Sequence, residues 1–195
     1  MLAAVLNGDA KKLAELMRQG PGFDVNMNRN GGNGNTLLYY ACEVGSRSAV
    51  IPLLLAHPDI DVNVKSTHGY TPFFGACYYG NTSCVRLLLK DSRVKLNDLN
   101  THGSTPLWYA VEGYLNIIKV WIASERDMDL GTPGDYYTDA IGEAKRKGKA
   151  EIATLLERFK LNPEETRHAM RLELDCYDEL AAEMFALVVF VSDGY

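Results

Sequence analysis

Apolar residues fall along this chain as pairs of short clusters, each pair divided by a glycine and followed by a polar, extended stretch. The clearest pair lies within residues 63–97. Pro72-Phe73-Phe74-Gly75-Ala76-Cys77 forms a first apolar segment that ends at Gly80, and Cys84-Val85-Arg86-Leu87-Leu88-Leu89 forms a second. Apolar positions three and four apart make one face of a helix. The pattern therefore predicts turn, helix, glycine turn, helix, extended loop. Thr71 offers a hydroxyl to the free N–H groups of a helix start, and Pro72 suits the first helical position because its φ is fixed and it has no donor to satisfy.

This unit recurs. Thr71-Pro72-Phe73 returns 34 residues later as Thr105-Pro106-Leu107, and Thr36-Leu37-Leu38 precedes it by 35. A fixed period of this size marks stacked units that cannot bury their apolar faces alone. Residues 2–26 read as a first unit without the threonine start, with Leu13, Leu16 and Met17 at helical spacing. Residues 34–63 form the second, with Pro52 early in its second helix, where a missing N–H is tolerated. The fourth is one residue short at its inter-helix turn. In the fifth, Asp139 takes the threonine position as an equally good cap, and the apolar residues 152–156 follow. The glycine- and asparagine-rich residues 27–34 read as a mobile turn.

The expected fold is an all-α repeat solenoid of stacked helix-turn-helix units with short β-hairpin fingers over residues 1–160, plus a C-terminal helical extension over 161–195. The extension opens at Asn162-Pro163-Glu164-Glu165 and keeps a helical stripe at Ala169, Leu172, Cys176, Leu180, Met184, Leu187 and Val191. Its residues 184–191 are apolar on all sides, so the helix is expected to bury itself on the last repeat or on a partner.

Composition narrows the function. The chain has 195 residues, 47% of them hydrophobic, and a net charge of -5, a balance that argues against nucleic acid as the main partner. Cys42, Cys77, Cys84 and Cys176 form no CxxC pair and have no histidine at zinc spacing. Cys42 and Cys77 occupy equivalent places in successive units, as buried core residues would. The apolar start at residues 1–6 is too short for a signal-peptide core, and no run is long enough to cross a membrane. The setting expected is intracellular, cytoplasmic with the nucleus also open to it. Lys145, Arg146, Lys147 and Lys149 read as the solvated face of an end repeat.

No Ser or Cys has a His and an acid at motif spacing, and Gly31-Gly32-Asn33-Gly34 lacks the Lys-Ser/Thr of a phosphate loop. His68 and His102 sit at equivalent tips, but neither has a carboxylate or thiolate beside it. The reading is therefore no enzyme, no cofactor and no metal.

The chain resembles the ankyrin-repeat family over about residues 2–160. Gly69-Tyr70-Thr71-Pro72-Phe73-Phe74-Gly75-Ala76 with Gly80, and Gly103-Ser104-Thr105-Pro106-Leu107-Trp108-Tyr109-Ala110, follow its unit, and Asp24-Val25-Asn26 and Asp61-Val62-Asn63 follow its ending. The family's usual histidine is replaced by Tyr39, Phe74 and Trp108, which suggests aromatic stacking along the ladder. The resemblance implies a protein–protein interaction module whose concave face carries Asn33, Asn35, Glu43, Val44, Thr67, His68, Tyr70, Tyr78, Tyr79, Thr101, His102, Ser104 and Glu112. Tyr78 and Tyr79 are expected to be exposed, because Ala76 and Cys77 take the packed positions. An alternative is an oligomerisation or regulatory domain acting through the extension or a downstream domain, including a homodimer through the C-terminal helix. The resemblance also makes Asn63 and Asn97 either structural bridges between hairpins or targets of asparagine hydroxylation.

Overall fold

The structure is a computed structural model that describes residues 1–20, 23–27 and 32–175. Paired helices stack in chain order. They are α1 (Leu2–Leu6) with α2 (Ala10–Gln19), α3 (Leu37–Glu43) with a 3-10 turn (Gly45–Val50) and α4 (Ile51–Leu55), and α5 (Pro72–Tyr78) with α6 (Thr82–Leu89). Then come α7 (Pro106–Ala110) with α8 (Leu115–Ala123), and α9 (Ala140–Arg146) with α10 (Ala150–Leu161). A further helix, α11, occupies residues 163–175. First helices pack on first helices, α1 on α3, α3 on α5, α5 on α7 and α7 on α9; α4, α6, α8 and α10 do the same on the opposite side. The architecture is an all-α repeat solenoid.

The first helix of each of the second to fifth units starts at the residue the period singled out. The hydroxyls of Thr36, Thr71 and Thr105 accept from the backbone N–H of Tyr39, Phe74 and Trp108 at 3.2, 3.1 and 3.1 Å. Asp139 accepts from Gly142 N at 2.8 Å in the same role. In the first unit α1 has no side-chain cap, and Asp9 caps the second helix, α2, accepting from Lys12 N at 2.8 Å. Pro52 falls at the second position of α4, and the chain before it winds as the 3-10 turn. Between these starts Leu38, Ile51, Leu54, Phe73, Cys42, Cys77, Leu88, Leu107, Ile117, Ile118 and Trp121 are wholly buried. The thiols of Cys42, Cys77 and Cys84 are free and buried.

The fingers are tighter than the expected β-hairpins. Among the described residues no strand forms, and each finger is a turn closed by a few backbone bonds, Ser66 N to Tyr70 O at 3.0 Å and Asn100 N to Ser104 O at 3.1 Å. Gly69 enables one turn with φ +76°, and a Cβ there would stand 2.8 Å from Thr101 N. Neighbouring tips are joined directly, Thr67 N donating to the Asn33 carbonyl at 3.0 Å and Thr101 N to the His68 carbonyl at 3.1 Å.

A second ladder runs along the inter-repeat loops. Asn63 donates from Nδ2 to the Arg93 carbonyl at 2.9 Å and accepts from Lys95 N at 2.8 Å. Asn26 does the same with Asp59 O and Asp61 N, and Asn97 with Asp127 Oδ2 and Asp129 N. The side-chain amides of Asn63 and Asn97 are thus engaged as bridges between successive repeats.

α11 turns back over the stack. Thr166 is fully buried and Met170 nearly so, while Lys119 Nζ meets Glu173 Oε1 at 2.7 Å, Arg171 meets Glu125, and the Arg167 guanidinium lies over the Phe159 ring at 5.4 Å. The packed face differs from the expected stripe. Leu172 is 54% exposed, because the buried face follows Thr166 and Met170, four residues apart, and Leu172 lies on the opposite side. The rest of that stripe, from Cys176 onward, lies outside the described residues, as does the apolar run 184–191 and with it any homodimer through the C-terminal helix. Residues 28–31 of the glycine- and asparagine-rich turn also lie outside them. No helix among the described residues is long and apolar enough to cross a membrane.

Candidate protein-binding face

Aromatic rings run along one side of the stack. Tyr70, at the foot of its finger, stacks on Phe74 with centroids 4.6 Å apart and on Tyr78 at 5.9 Å. Tyr78 meets Tyr79 edge-on at 4.9 Å and reaches into the next repeat to Tyr109 at 5.1 Å. Tyr109 also meets Phe74 at 5.3 Å and Trp108 at 4.9 Å, and Trp108 passes the contact on to Tyr136 at 6.3 Å and thence to Tyr137. The Arg146 guanidinium lies 5.6 Å over the Tyr136 ring. One continuous chain of ring contacts therefore runs from the third repeat to the loop before the fifth, partly exposed and, at Phe74 and Trp108, buried.

Helix geometry produces this arrangement. In α5, Phe73, Ala76 and Cys77 take the core positions, which leaves Tyr78 and Tyr79 at the C-terminal end, 40% and 43% exposed. Gly80 follows with φ +74°, and the Tyr114 ring comes so close that any Cβ there would collide with it. Gly75 is small for a comparable reason: Tyr39 lies flat against it, and a Cβ would meet the ring at 2.9 Å.

Among the described rings, Tyr39, Phe74 and Trp108 do not stack on one another as their shared repeat position suggested. They are buried at 4%, 0% and 8% exposure, each against other neighbours: Tyr39 against Gly75, Phe74 against Tyr70 and Tyr109, and Trp108 against Tyr109 and Tyr136. On this side of the stack, ring contact between the third and fourth repeats runs through Tyr109, which meets Phe74 and Tyr78.

Burial shapes the electrostatics of this face. The Tyr39 hydroxyl is pushed far above the usual phenol range by burial, with the neighbouring Tyr79 hydroxyl adding to the effect. Tyr79 is raised too, chiefly by burial and then by Glu43. Tyr109 is pushed up to about 12, first by burial and then by Tyr70. Glu43 is raised by partial burial despite Arg47, whose Nη1 stands 3.5 Å away.

Other anticipated residues distribute unevenly. Asn33, Val44, Thr67, His68, Thr101, His102 and Glu112 are exposed, and Glu112 pairs with Lys147 at 2.9 Å. Asn35 and Ser104 are not surface residues, with 8% and 1% exposure. Ser104 closes the finger against Asn100, to which it donates its N–H at 2.9 Å, and Asn35 lies directly before the buried cap Thr36. No cluster of three or more His, Cys, Asp or Glu at metal-binding distance occurs among the described residues.

Trp108, Tyr109, Tyr136 and Tyr137 join the face without having been anticipated as part of it. Tyr109 carried a signal, since it aligns with Gly75 one unit earlier, and a bulky ring where the neighbour needs a glycine must point elsewhere. Tyr136 and Tyr137 sit in a loop outside the repeat pattern and carried none.

The geometry is that of a stack of helix pairs with half-exposed tyrosines along one side. The family profile described as "Ankyrin repeats (3 copies)" matches residues 1–98 and again 49–133, and the chain belongs to the ankyrin-repeat family, whose repeats are protein-interaction modules. It is 31% identical over 163 residues to the human SMC5-SMC6 complex localization factor protein 1, covering 78% of this chain and 15% of that protein. It is 32% identical over 146 residues to the target of rapamycin complex 2 subunit AVO2 of Saccharomyces cerevisiae, covering 74% of this chain and 29% of that one. Mouse rabankyrin-5 is 30% identical over 90 residues, 46% of this chain and 8% of its own length. The chain thus spans only a small part of the curated relatives it matches.

Proposed function

We propose that this chain is a non-catalytic docking module that holds a partner protein against the aromatic side of its repeat stack, within a larger intracellular assembly. The observation that carries the reading is the chain of ring contacts from Tyr70 to Tyr137, in which Tyr78, Tyr79, Tyr136 and Tyr137 are between 40% and 61% exposed. Half-exposed tyrosines held rigid by one another are what binding hot spots use, since they bring large contact area at little entropy cost. Two relatives named for protein complexes, the SMC5-SMC6 complex localization factor and the target of rapamycin complex 2 subunit, support a role as an assembly component.

The test is affinity capture from cell extract with the whole chain and with Tyr78→Ala/Tyr79→Ala. The double variant is expected to lose the captured protein, weakening binding by about 2 kcal/mol or more, while its melting temperature stays near that of the parent. A variant that retains the captured protein, or that binds nothing because it has unfolded, would place the pair outside the binding surface.

A further inference from the structure

α11 crosses the second helices of the stack from the last repeat back toward the first. Arg167 lies over Phe159 of α10, Met170 and Glu173 border Leu115 and Lys119 of α8, and Leu174 and Asp175 stand beside Leu89 and Lys90 of α6. The described residues end at Asp175, but the surface that α11 follows continues. A groove of about 360 Å³ opens there between α6 and α8, lined by the apolar Leu89, Val120 and Ala123 and by the cationic Arg86 and Lys90. Lys90 also borders a second hollow, of about 410 Å³, between α6 and the end of α4, where Leu55 and Leu87 are only partly buried. The two hollows form one track across the second, third and fourth repeats.

We propose that the segment following Asp175, residues 176–191, lies along this track and covers it within the same chain. Register selects it first. The packed side of α11 passes through Thr166, Met170 and Leu174, four residues apart. The same helical register continues through Tyr177, Ala181, Met184 and Val188, every one apolar or aromatic. Length agrees. Sixteen residues of helix extend about 24 Å, enough to pass from α6 over α4 at roughly 8–10 Å per packed helix.

Charge and connectivity point the same way. Residues 176–195 hold the acids Asp178, Glu179, Glu183 and Asp193 and no lysine or arginine. Asp178 falls one turn after Asp175, which shares the groove with Lys90, so the register sets its carboxylate beside that exposed ammonium. A tether at the mouth of the groove gives the segment an effective concentration on the order of millimolar, which a second copy in dilute solution does not match. The track lies on the side of the second helices, away from Tyr78 and Tyr79 at the end of α5. The inference therefore goes beyond the docking reading and does not depend on it: the chain closes its outer side itself and leaves the tyrosines to a partner.

The test is a disulfide trap in the whole chain. Lys90→Cys and Asp178→Cys are introduced together with Cys176→Ser, which removes the neighbouring thiol, and the protein is oxidised with copper-phenanthroline. A cross-link within single chains is expected, with a yield that does not change on tenfold dilution. Glu112→Cys/Asp178→Cys in the same background, with its first thiol at the turn between α7 and α8, is expected to stay reduced. A charge exchange supplies a second reading without any cross-link. Lys90→Glu is expected to lower the melting temperature by about 2 °C, and Asp178→Lys added to it to restore the parent value. Three outcomes would overturn the proposal. One is a cross-link between two chains, which would give the track to a second copy; another is no cross-link in a chain whose circular dichroism matches the parent. The third is an unchanged melting temperature in Lys90→Glu, or no recovery on adding Asp178→Lys. None of these touches the docking reading, whose own test is capture through Tyr78 and Tyr79.

Discussion

At the residue scale, the helix caps show how much one side chain decides. Thr71→Ala and Thr105→Ala each remove a single bond to the third N–H of a helix and are expected to cost about 1 kcal/mol, measured by chemical denaturation. Asp139 does more than its threonine counterparts. One carboxylate oxygen caps α9, and the other accepts from Gly134 N at 2.7 Å, tying down the preceding loop. Asp139→Ala is therefore expected to be the costliest of the three although it lies in the terminal repeat, and Asp139→Asn, which keeps the cap and loses the loop bond, to fall between. The tyrosines give a pH signature. Tyr39, Tyr79 and Tyr109 all titrate above the free phenol, so the fold favours their protonated forms. Their contribution is complete below the free value near 10 and is lost as pH rises through the folded values. Melting temperature should hold up to about pH 10 and fall beyond it. In absorbance titration of the eleven tyrosines, Tyr109→Phe should remove a component near the pH of about 12 that its folded state requires.

At the element scale, repeats are coupled by side chains that reach across the loops. Arg126 donates to the carbonyls of Leu89, Asp91 and Val94 at 3.1, 2.9 and 2.7 Å, satisfying the end of α6 from the following repeat. Arg93 reaches the Leu55 carbonyl one unit earlier at 2.8 Å in the same manner. The guanidinium reaches the three carbonyls from two separated nitrogens, Nη1 and Nη2, whereas the donors of an ammonium radiate from a single nitrogen. Arg126→Lys is accordingly expected to lose about 1–3 kcal/mol, and hydrogen exchange should report the loss first at the α6 terminus. Nothing in the periodicity marked these arginines, because their partners are backbone atoms some 35 residues away and backbone positions leave no trace in composition. The asparagine bridges were legible, since Asn26 and Asn63 follow the family's loop ending and Asn97 stands 34 residues, one repeat, after Asn63.

At the scale of the molecule, α11 closes the open side of the last repeats. Met170 and Glu173 line a groove with Leu115, Lys119 and Leu155, and the Phe159 ring lies beneath Arg167. Truncation after Leu161 uncovers Leu115, Leu155 and Phe159, each worth about 1.5–3 kcal/mol when fully buried. A fall in melting temperature of roughly 5–10 °C is expected for a chain of this size, read by differential scanning calorimetry. An unchanged value would show that α11 contributes nothing to the stack.

The sequence by itself determined the repeat, its caps and its core. These follow from local chemistry repeated at a fixed period: a hydroxyl before a proline, apolar positions three and four apart, a glycine where the backbone must turn left-handed. It also determined that Tyr78 and Tyr79 would face outward, because the core positions beside them were already taken by Ala76 and Cys77. Only the tertiary structure decided which rings meet. Tyr78 and Tyr109 belong to adjacent repeats and meet at 5.1 Å because the stacking of α5 on α7 brings them together, while Tyr39, Phe74 and Trp108, identical in register, each pack against other neighbours. It also decided that α11 packs through Thr166 and Met170 and turns Leu172 outward, because a helix's buried face is chosen by the surface it lands on as well as by its own pattern.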